Sequence, residues 1–418
     1  MRKLSETMLV RILVLASALL LSVDSFAQEK KEPARRQEIS FDEYLTRVGR
    51  DNLGFMADKL NLDAAQAEVM MSKMLPDPSL DMEGGQETFS LGLSYTLELG
   101  KRKARINLAK SQLEYEGIAF EQEFRDLRAQ AAELFLDAIL QKELLASRRS
   151  SYDYMSELSQ SDSLRFLSGE ITENDARQSR LEAITLLNDV YDQESAYYSA
   201  LVELNRFMGV DADTLCIPAG DWSHLDRDFI LDSLHTAGMA LRQDLLASDK
   251  AIDIASKEYK LAKRERIPDI DLSLSYEREW GHYLPKGEYA TLGVSIPLPF
   301  SASNKGSRKQ AMAHKRQAEL QYRDMVLQVR SEIDQAWFAY QGQKKKVSQY
   351  LSGFMDESQK VLEGMVYTYI RGEASIQDVL VAQRTYNEVC EDYLQTMKDY
   401  VSALADLENA CGFWDIQF

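Results

Sequence analysis

The sequence is poor in the residues that cross-link or break a chain, with 3 cysteines, 8 prolines and 20 glycines among 418 residues. An odd number of cysteines without a CxxC pair argues against a disulfide framework. Cys216, Cys390 and Cys411 are therefore predicted to be small buried side chains. Four scattered histidines have no metal-ligand spacing, so no metal site is predicted. The scarcity of proline and glycine permits long uninterrupted helices.

Basic residues and the motifs of common enzymes are also lacking. The 49 Lys and Arg residues are outnumbered by 67 Asp and Glu, which gives a net charge of −18. Nucleic-acid binding needs a basic surface, so no nucleic-acid partner is expected. A Gly-rich phosphate loop, a GxSxG elbow and an HExxH motif are absent from the sequence. We therefore expect no enzyme, no catalytic residue and no cofactor.

A long apolar run occurs in one place only, near the N-terminus. Positively charged residues precede the run from Ile12 to Val23, and small residues surround Ala27. This pattern predicts a secretory signal peptide over residues 1–27, with a short membrane anchor as the alternative. No later stretch approaches 18 apolar residues. An exported chain without a membrane helix is either soluble outside the cytoplasm or a β-barrel protein.

The sequence contains an internal repeat. Leu75–Leu80 (LPDPSL) returns 192 residues later as Ile267–Leu272 (IPDIDL), and each copy opens an alternating segment followed by a long helical pattern. The spacing between matching positions then rises, first to 202 residues and later to 203. The markers are Phe135 with Trp337 at the spacing of 202, and Gly169 with Gly372 and Asp175 with Asp378 at 203. The first increase predicts a longer second hairpin.

Each repeat contains a predicted β-hairpin. Apolar and polar residues alternate from Thr88 to Leu97, and again from Asp269 to Glu277 and Tyr289 to Ile296. Glycine-containing turns separate the strands, which places the hairpins at about 79–98 and 269–298. Several strands have the length that a tilted membrane strand requires. The aromatic residues predicted to form a membrane girdle are Phe89, Tyr95, Tyr276, Trp280 and Tyr289.

Long amphipathic helices are predicted after each hairpin. Between Lys103 and Arg148 there is no proline and one glycine, and apolar residues follow three- and four-residue spacing. A helix of about 45 residues is roughly 65–70 Å long, so the body is elongated. The predicted organisation is a signal peptide (1–27), a linker (28–38), a first repeat (39–212), an equatorial segment (213–229), a second repeat (230–412) and a tail (413–418).

Four strands cannot close a barrel, and an open edge in lipid leaves unpaired backbone groups. If the hairpins enter a membrane, the chain must therefore associate. Two copies would give eight strands with a filled interior, and three would give twelve around an open lumen. The polar faces would line water and the apolar faces would meet lipid. The alternative is a soluble extracytoplasmic helical scaffold that the hairpins cap.

With its signal peptide, duplicated hairpin-plus-helix unit and two Gly-to-Asp turns, the chain from about Ile39 to Gly412 resembles the TolC-type outer-membrane factors. The resemblance implies a channel subunit of a tripartite efflux or type I secretion system. It implies a homotrimer, with a twelve-stranded β-barrel in outer-membrane lipid on a coiled-coil α-helical tunnel in the periplasm. It also implies a periplasmic adaptor and an inner-membrane transporter as partners. Drug and metal export both stay open.

In that family the glycine turns are the periplasmic tips where the adaptor docks. The matching residues here are Gly169, Glu170, Thr172, Gly372, Glu373 and Ser375. Glycine can supply a positive φ, and Thr172 or Ser375 can cap the next helix. An ordinary helix-hairpin turn therefore explains these residues equally well.

The resemblance also implies a gate at the periplasmic aperture, formed by Asp378, Asp175 and Tyr369. In the family, a tyrosine before the second turn bonds to an aspartate after the first, and Tyr369 and Asp175 occupy those places. A second acidic position is Val381 here, and an arginine of a further link is replaced by Ala374. The alternative for both aspartates is a carboxylate that the helix dipole favours in the first turn.

Overall fold

The computed structural model describes residues 35–210, 214–220, 227–280, 287–298 and 303–416. The predicted signal peptide and residues 28–34 of the linker lie outside these ranges. The elements of the first half are β1 (Arg35–Ile39), α1 (Phe41–Asp51), α2 (Leu53–Ser72), β2 (Ser79–Gly84), β3 (Thr88–Leu97), α3 (Arg102–Leu167) and α4 (Glu173–Phe207). Those of the second half are β4 (Thr214–Pro218), α5 (Leu231–Leu241), α6 (Gln243–Arg264), β5 (Ile270–Glu279), β6 (Gly287–Ser295), α7 (Ser303–Gln349), α8 (Met355–Ile370) and α9 (Ile376–Cys411).

The two halves have the same order of elements. Each contains a strand, two short helices, a hairpin and a long helical hairpin. The predicted mainly helical chain with two β-hairpins is confirmed. The second hairpin is the longer one, because β5 has 10 residues where β2 has 6.

Helix α3 is longer than its apolar pattern predicted. It has 66 residues, which corresponds to about 100 Å at the usual rise. The pattern of large apolar residues fades after Arg148, but the buried stripe continues through polar side chains. Ser151, Ser159 and Asp162 are buried on the same helix as Met155 and Leu158. The buried face thus runs on to the end of the helix, although its chemistry changes.

The two hairpins form one antiparallel sheet in the order β2-β3-β5-β6. The register aligns residues of like polarity across all four strands. One row consists of Leu80, Leu93, Leu274 and Leu292, and the adjacent row consists of Ser79, Ser94, Ser273 and Gly293. Since neighbouring residues point to opposite faces, one face of the sheet is apolar and the other polar. Strands β2 and β6 are the unpaired edges of this sheet.

A small parallel sheet joins the two halves at the equator. Strand β1 pairs with β4, with Gln37 opposite Cys216. The predicted linker therefore ends in a strand from Arg35 onwards, a segment too short for its alternation to be read in the sequence. A core containing Phe41, Tyr44 and Phe135 packs beside this sheet. Cys216, Cys390 and Cys411 are buried free thiols.

The long helices form two four-helix layers that share α3, and α7 packs on α9 as well as on α6. On the sheet side, α2 packs on α3, α3 on α6 and α6 on α7. On the far side the order is α4-α3-α9-α8. As in the sheet, the first and last elements of each layer have a neighbour on one side only. These edge helices are α2 and α7 on one side of the equator and α4 and α8 on the other.

The second long helix is interrupted where the first is continuous. Between α7 and α8, residues Tyr350–Phe354 form a π-helical turn in which Gly353 has φ 110° and ψ 6°. This turn lies between Trp337 and Gly372, where the repeat spacing rises from 202 to 203 residues. A π turn holds one residue more than an α turn. The structure thus places the extra residue of the second repeat at this kink.

No helix among the described residues combines the length and the apolar character that a membrane crossing would need.

Candidate functional site: the helical tips and the hairpin sheet

The two tip turns, at 168–172 and 371–375, have the same backbone structure. Gly169 has φ 79° and Gly372 has φ 75°. The N–H of Glu170 donates to the carbonyl of Arg165 at 2.9 Å, and that of Glu373 donates to Thr368 at 3.0 Å. These bonds from the residue after glycine close a Schellman motif at the end of each helix. Glycine is favoured in both turns because of its positive φ.

A capping box opens the helix after each turn. In the first, the N–H of Asp175 donates to Thr172 Oγ1 at 3.2 Å, and the N–H of Thr172 donates to Asp175 Oδ2 at 3.2 Å. Ser375 and Asp378 repeat this arrangement at 3.3 Å and 3.0 Å. The Ser375 hydroxyl and backbone N–H, which bond to the exposed Asp378 carboxylate, hold its pKa below the usual range. Both aspartates therefore take part in the capping of their own helices, in the first helical turn where the alternative to a gate placed them.

The Tyr369 hydroxyl bonds to a residue that the resemblance did not indicate. It donates to Asp162 Oδ1 at 3.0 Å, whereas the carboxylate of Asp175 is held in its capping box. Asp162 is fully buried on α3, six residues before the first tip turn, and Tyr369 is 4% exposed near the end of α8. The expected bond between Tyr369 and Asp175 is thus replaced, within one chain, by a bond between Tyr369 and Asp162.

Arg165 completes this cluster between the two helical hairpins. Its Nη1 lies 3.5 Å from Asp162 Oδ1, and its guanidinium lies 5.1 Å from the centre of the Tyr369 ring. Its Nη2 donates to the carbonyl of Ile370 at 3.4 Å. Burial raises the pKa of Asp162, while Ser179, Tyr369 and Arg165 act to lower it. Burial and the Asp162 carboxylate raise the pKa of Tyr369, so its hydroxyl stays a donor.

Apolar side chains surround the polar tips. Leu164 and Leu167 are 68% and 80% exposed beside the first turn, and Tyr367 and Ile370 are 60% and 56% exposed beside the second. Val381, at the position where the resemblance implies an acid, is also exposed. The tips therefore offer an apolar surface with Glu170 and Glu373 exposed within it.

The register divides the predicted girdle residues between the two faces of the sheet. Phe89, Tyr95 and Tyr276 are aligned with Arg278, Leu272 and Leu91, which puts all three on the apolar face. Trp280 follows β5, is 47% exposed, and donates its backbone N–H to Glu87 at 3.0 Å. Tyr289 instead pairs with Glu277 and lies on the polar face. Its position does not fit a girdle that faces lipid.

The polar face of the sheet is acidic. Its carboxylates on the described strands are Asp81, Glu83, Asp271, Glu277 and Glu279. These strands place no Lys or Arg on that face; Arg278 lies on the opposite face, 3.6 Å from Glu288. Thr96 donates to Asp271 at 2.6 Å across two strands. The face thus has uncompensated negative charge.

Sequence reasoning missed Asp162 and Arg165. The available signal was a polar residue on a stripe of buried positions, since Asp162 follows Met155 and Leu158 at helical spacing. A buried carboxylate at such a position requires a partner. Its partner Tyr369 is 207 residues away in the sequence, and only the fold brings the two together.

The sequence profile of the family described as "Outer membrane efflux protein" matches residues 239–413. This match covers most of the second repeat. The chain is 21% identical over 388 residues to the cobalt-zinc-cadmium resistance protein CzcC of Cupriavidus metallidurans, and the alignment covers 90% of each chain. It superposes on a membrane protein from Pseudomonas aeruginosa with a TM-score of 0.77 at 19% identity, covering 89% of this chain and 92% of the other. It superposes on the Campylobacter jejuni CmeC outer membrane channel with a TM-score of 0.75 at 15% identity, covering 89% of this chain and 85% of the channel.

The family match and the relatives together give the general role of the chain. It is an outer-membrane efflux channel with its helical part in the periplasm. The family consists of transport proteins rather than enzymes. The alternative of a soluble helical scaffold without pore activity is therefore set aside.

Proposed function

We propose that three copies of this efflux protein form a continuous conduit from a periplasmic adaptor and an inner-membrane transporter to the cell exterior. The observation that supports this most is the set of three open layers, each with four elements and two unpartnered edges. The sheet and both helical layers run in the same direction, from an edge element of the first repeat to an edge element of the second. A single rotation that joins β6 to β2 of the next copy also joins the edge helices of both layers.

The edge helices have exposed apolar residues that such a closure would bury. On the sheet side these are Leu53, Met56 and Leu60 of α2 and Leu320 and Leu327 of α7. On the far side they are Leu181, Ile184 and Tyr191 of α4 and Val361 of α8. Exposed apolar area on this scale marks an interaction surface. A second copy supplies the complementary edge.

The polar face of the sheet supports three copies rather than two. Eight strands leave an interior that side chains fill, whereas the acidic face requires water around its carboxylates. Twelve strands provide an open lumen. The leucine rows then face lipid, with Phe89 and Tyr276 towards the hairpin loops and Tyr95 towards the helices as aromatic girdles.

The tips are the proposed docking surface for the adaptor. Gly169, Glu170 and Thr172 form one turn, and Gly372, Glu373 and Ser375 form the other, with identical bonding. Exposed leucines beside the turns supply apolar area, and the glutamates supply polar contacts. Asp378, Asp175 and Tyr369 are the proposed residues of the periplasmic aperture, where three copies of the exposed Asp378 would form an acidic ring.

The assembly is tested by mass measurement of the detergent-solubilised protein and by conductance in planar bilayers. We expect a mass of three chains and stepwise single-channel currents. A monodisperse monomer or dimer, or a trimer without current, would contradict the proposal.

The acidic lumen favours cations as substrates, and the relative CzcC has cobalt, zinc and cadmium in its name. We expect the wild-type pore to pass K⁺ in preference to Cl⁻. Asp81→Asn with Glu277→Gln should shift the reversal potential in a salt gradient towards zero. Glu288→Gln, on the opposite face, is the matched control. An equal shift in the control, or no shift in the double variant, would count against the lumen as the source of selectivity.

A further inference from the structure

The junction between the hairpin sheet and the helices concentrates positive charge. Helices α2 and α6 end there, α3 and α7 begin there, and its segments are 73–78, 98–105, 260–269, 296–298 and 303–309. These segments contain twelve Lys and Arg against four Asp and Glu, in a chain whose net charge is −18. Most of the cations lie in three runs, KRKAR (101–105), KRER (263–266) and KGSRK (305–309). The charge of the junction is thus opposite to that of the whole chain.

The fold brings these separate runs to one level of the molecule. Arg102 Nε donates to the carbonyl of Lys73 at 3.0 Å, which joins the start of α3 to the end of α2. Nη1 of Arg264 lies 3.5 Å from the position that a Cβ on Gly100 would occupy. Strand β5 pairs with β6 and α6 packs on α7, so the start of α7 lies at the same end of the sheet. Segments that are far apart in the sequence therefore form one basic surface.

Only part of this positive charge is neutralised within the chain. Arg105 pairs with Glu98 at 2.8 Å and Lys101 with Asp269 at 2.7 Å, so two of the four acids are already engaged. The buried Nε of Arg308 has no hydrogen-bond partner among the described atoms. Exposed cations that form no ion pair with a described residue remain in four segments, and one from each is Lys73, Lys103, Arg266 and Lys305. The junction therefore offers positive charge to an external anion.

Two of the basic runs lie at helix ends that disfavour cations. Helices α3 and α7 begin in the junction, and neither has an acidic residue in its first turn. Helices α4 and α9, in contrast, carry Asp175 and Asp378 in their first turns. The positive end of a helix dipole favours anions and repels Lys and Arg. Cations placed at two such ends indicate that an anion from outside the chain compensates them.

An exposed apolar belt adjoins the basic surface. Leu75, Leu99 and Leu298 lie in the same segments and are exposed, next to the ends of the strands that carry the leucine rows. The loop end of the sheet has the opposite charge: among its described residues, Arg278 is accompanied by Glu83, Glu87, Glu277, Glu279 and Glu288. Positive charge is thus confined to the end of the sheet that meets the helices, which is the periplasmic end.

We propose that this junction binds the anionic headgroups of phospholipids in the membrane leaflet that faces the periplasm. The inference rests on the proposed function, in which the leucine rows of the sheet face lipid. The lipid phosphates lie at the level of the basic runs, and the acyl chains meet Leu75, Leu99 and Leu298. Lys and Arg suit this boundary because their stems pack on apolar surface while their charges reach the headgroups. A headgroup with net negative charge, such as phosphatidylglycerol, is favoured over a zwitterionic one.

Lipid titration of the intact protein in detergent, followed by native mass spectrometry, tests this preference. We expect phosphatidylglycerol to bind about tenfold more tightly than phosphatidylcholine with the same acyl chains. A rise in salt concentration should reduce the difference, because salt screens exposed charges. Equal affinity for the two lipids at low salt, or a preference that salt leaves unchanged, would overturn the proposal. This test needs no variant.

A variant with four substitutions, one in each of four segments, locates the preference. It combines Lys73→Gln, Lys103→Gln, Arg266→Gln and Lys305→Gln, and it should bring the two lipids to within about threefold of each other. The matched control removes the same charge from exposed residues away from the junction, with Lys142→Gln, Arg180→Gln, Lys345→Gln and Lys360→Gln. The control should keep the wild-type preference. Equal losses in the two variants would assign the effect to net charge alone and refute the proposal.

Planar-bilayer recordings separate this surface from the pore. Wild-type protein that prefers phosphatidylglycerol but conducts no current would contradict the channel and leave the lipid surface standing. Current without a lipid preference would have the reverse meaning. The junction variant should keep the wild-type reversal potential in a salt gradient. A shift of that potential, with the lipid preference unchanged, would place these cations in the lumen and overturn the proposal.

Discussion

Asp162 is a buried carboxylate near two hydroxyls, those of Tyr369 and Ser179, and one guanidinium, that of Arg165. Its Oδ1 accepts from Tyr369, while Oδ2 has no hydrogen-bond partner among the described atoms. A buried acid with incomplete hydrogen bonding costs stability, and removal of a remaining partner costs more. Loss of the contact between Tyr369 and Asp162 is therefore expected to destabilise the tip.

Tyr369→Phe should lower the stability of the tip by about 1–3 kcal/mol, because it removes the hydroxyl that donates to the buried Asp162 carboxylate. Hydrogen exchange of α8 near Tyr369 measures this loss. The matched control is Tyr367→Phe, which removes a hydroxyl from a ring that is 60% exposed. Comparable losses in the two variants would show that the Asp162 bond has no particular role.

The tip should also become more stable on acidification. Burial raises the pKa of Asp162 in the folded state above its unfolded value, so the folded state binds this proton more readily. Stability therefore increases as the pH falls from neutrality through the folded pKa, and the gain ends below the unfolded pKa. Exchange of α8 measured against pH should show this gain in wild type. Asp162→Asn should lack it; an unchanged profile in the variant would assign the gain to other groups.

At the scale of elements, the parts that the sequence predicted are those with a strong local signal. Period-two alternation located both hairpins, and Gly169 and Gly372 located both turns. Three features lacked such a signal: strand β1, the last third of α3 and the kink at Gly353. Strand β1 is defined by its pairing with β4, and α3 continues through buried serines. The kink depends on a single additional residue. The change in repeat spacing showed that this residue exists, but not where it lies in the chain.

The capping boxes make a prediction of their own. Thr172→Ala or Ser375→Ala should destabilise the start of α4 or α9 by about 1 kcal/mol, because each removes an acceptor for a helix N–H. Amide exchange in the first turn of each helix reports the effect. Thr385→Ala, whose hydroxyl bonds within the helix to Val381, should not increase fraying at the helix start. A similar effect in that variant would rule out capping as the cause.

For the whole molecule, the fold class was predictable from the repeat, whereas the link between the two tips was not. Tyr369 and Asp162 lie in different repeats, and no periodicity relates them. The circular order of the helices was equally hidden, because it depends on which faces of α3 contact α2, α6, α4 and α9.

The exposed edge helices of the open layers predict which substitutions would prevent assembly. Leu60→Arg on α2 and Leu181→Arg on α4 put a charge on each type of edge, where closure would bury it at a cost of several kcal/mol. Native mass spectrometry should show fewer trimers and more monomers for both. Asn61→Arg adds the same charge at an exposed polar residue beside Leu60 and should assemble normally. Intact trimers in the leucine variants would place the subunit interface elsewhere.

Helix α3 takes part in both helical layers, so one unbroken rod extends from the hairpin sheet to the first tip. At 1.5 Å per residue, its 66 residues act as a molecular ruler of about 100 Å. In the proposed assembly, the distance between the membrane and the adaptor is thereby set by a residue count. An added heptad would lengthen the ruler by about 10 Å while keeping its buried face in phase. The depth of the compartment that this protein can bridge is in this sense a property of its sequence.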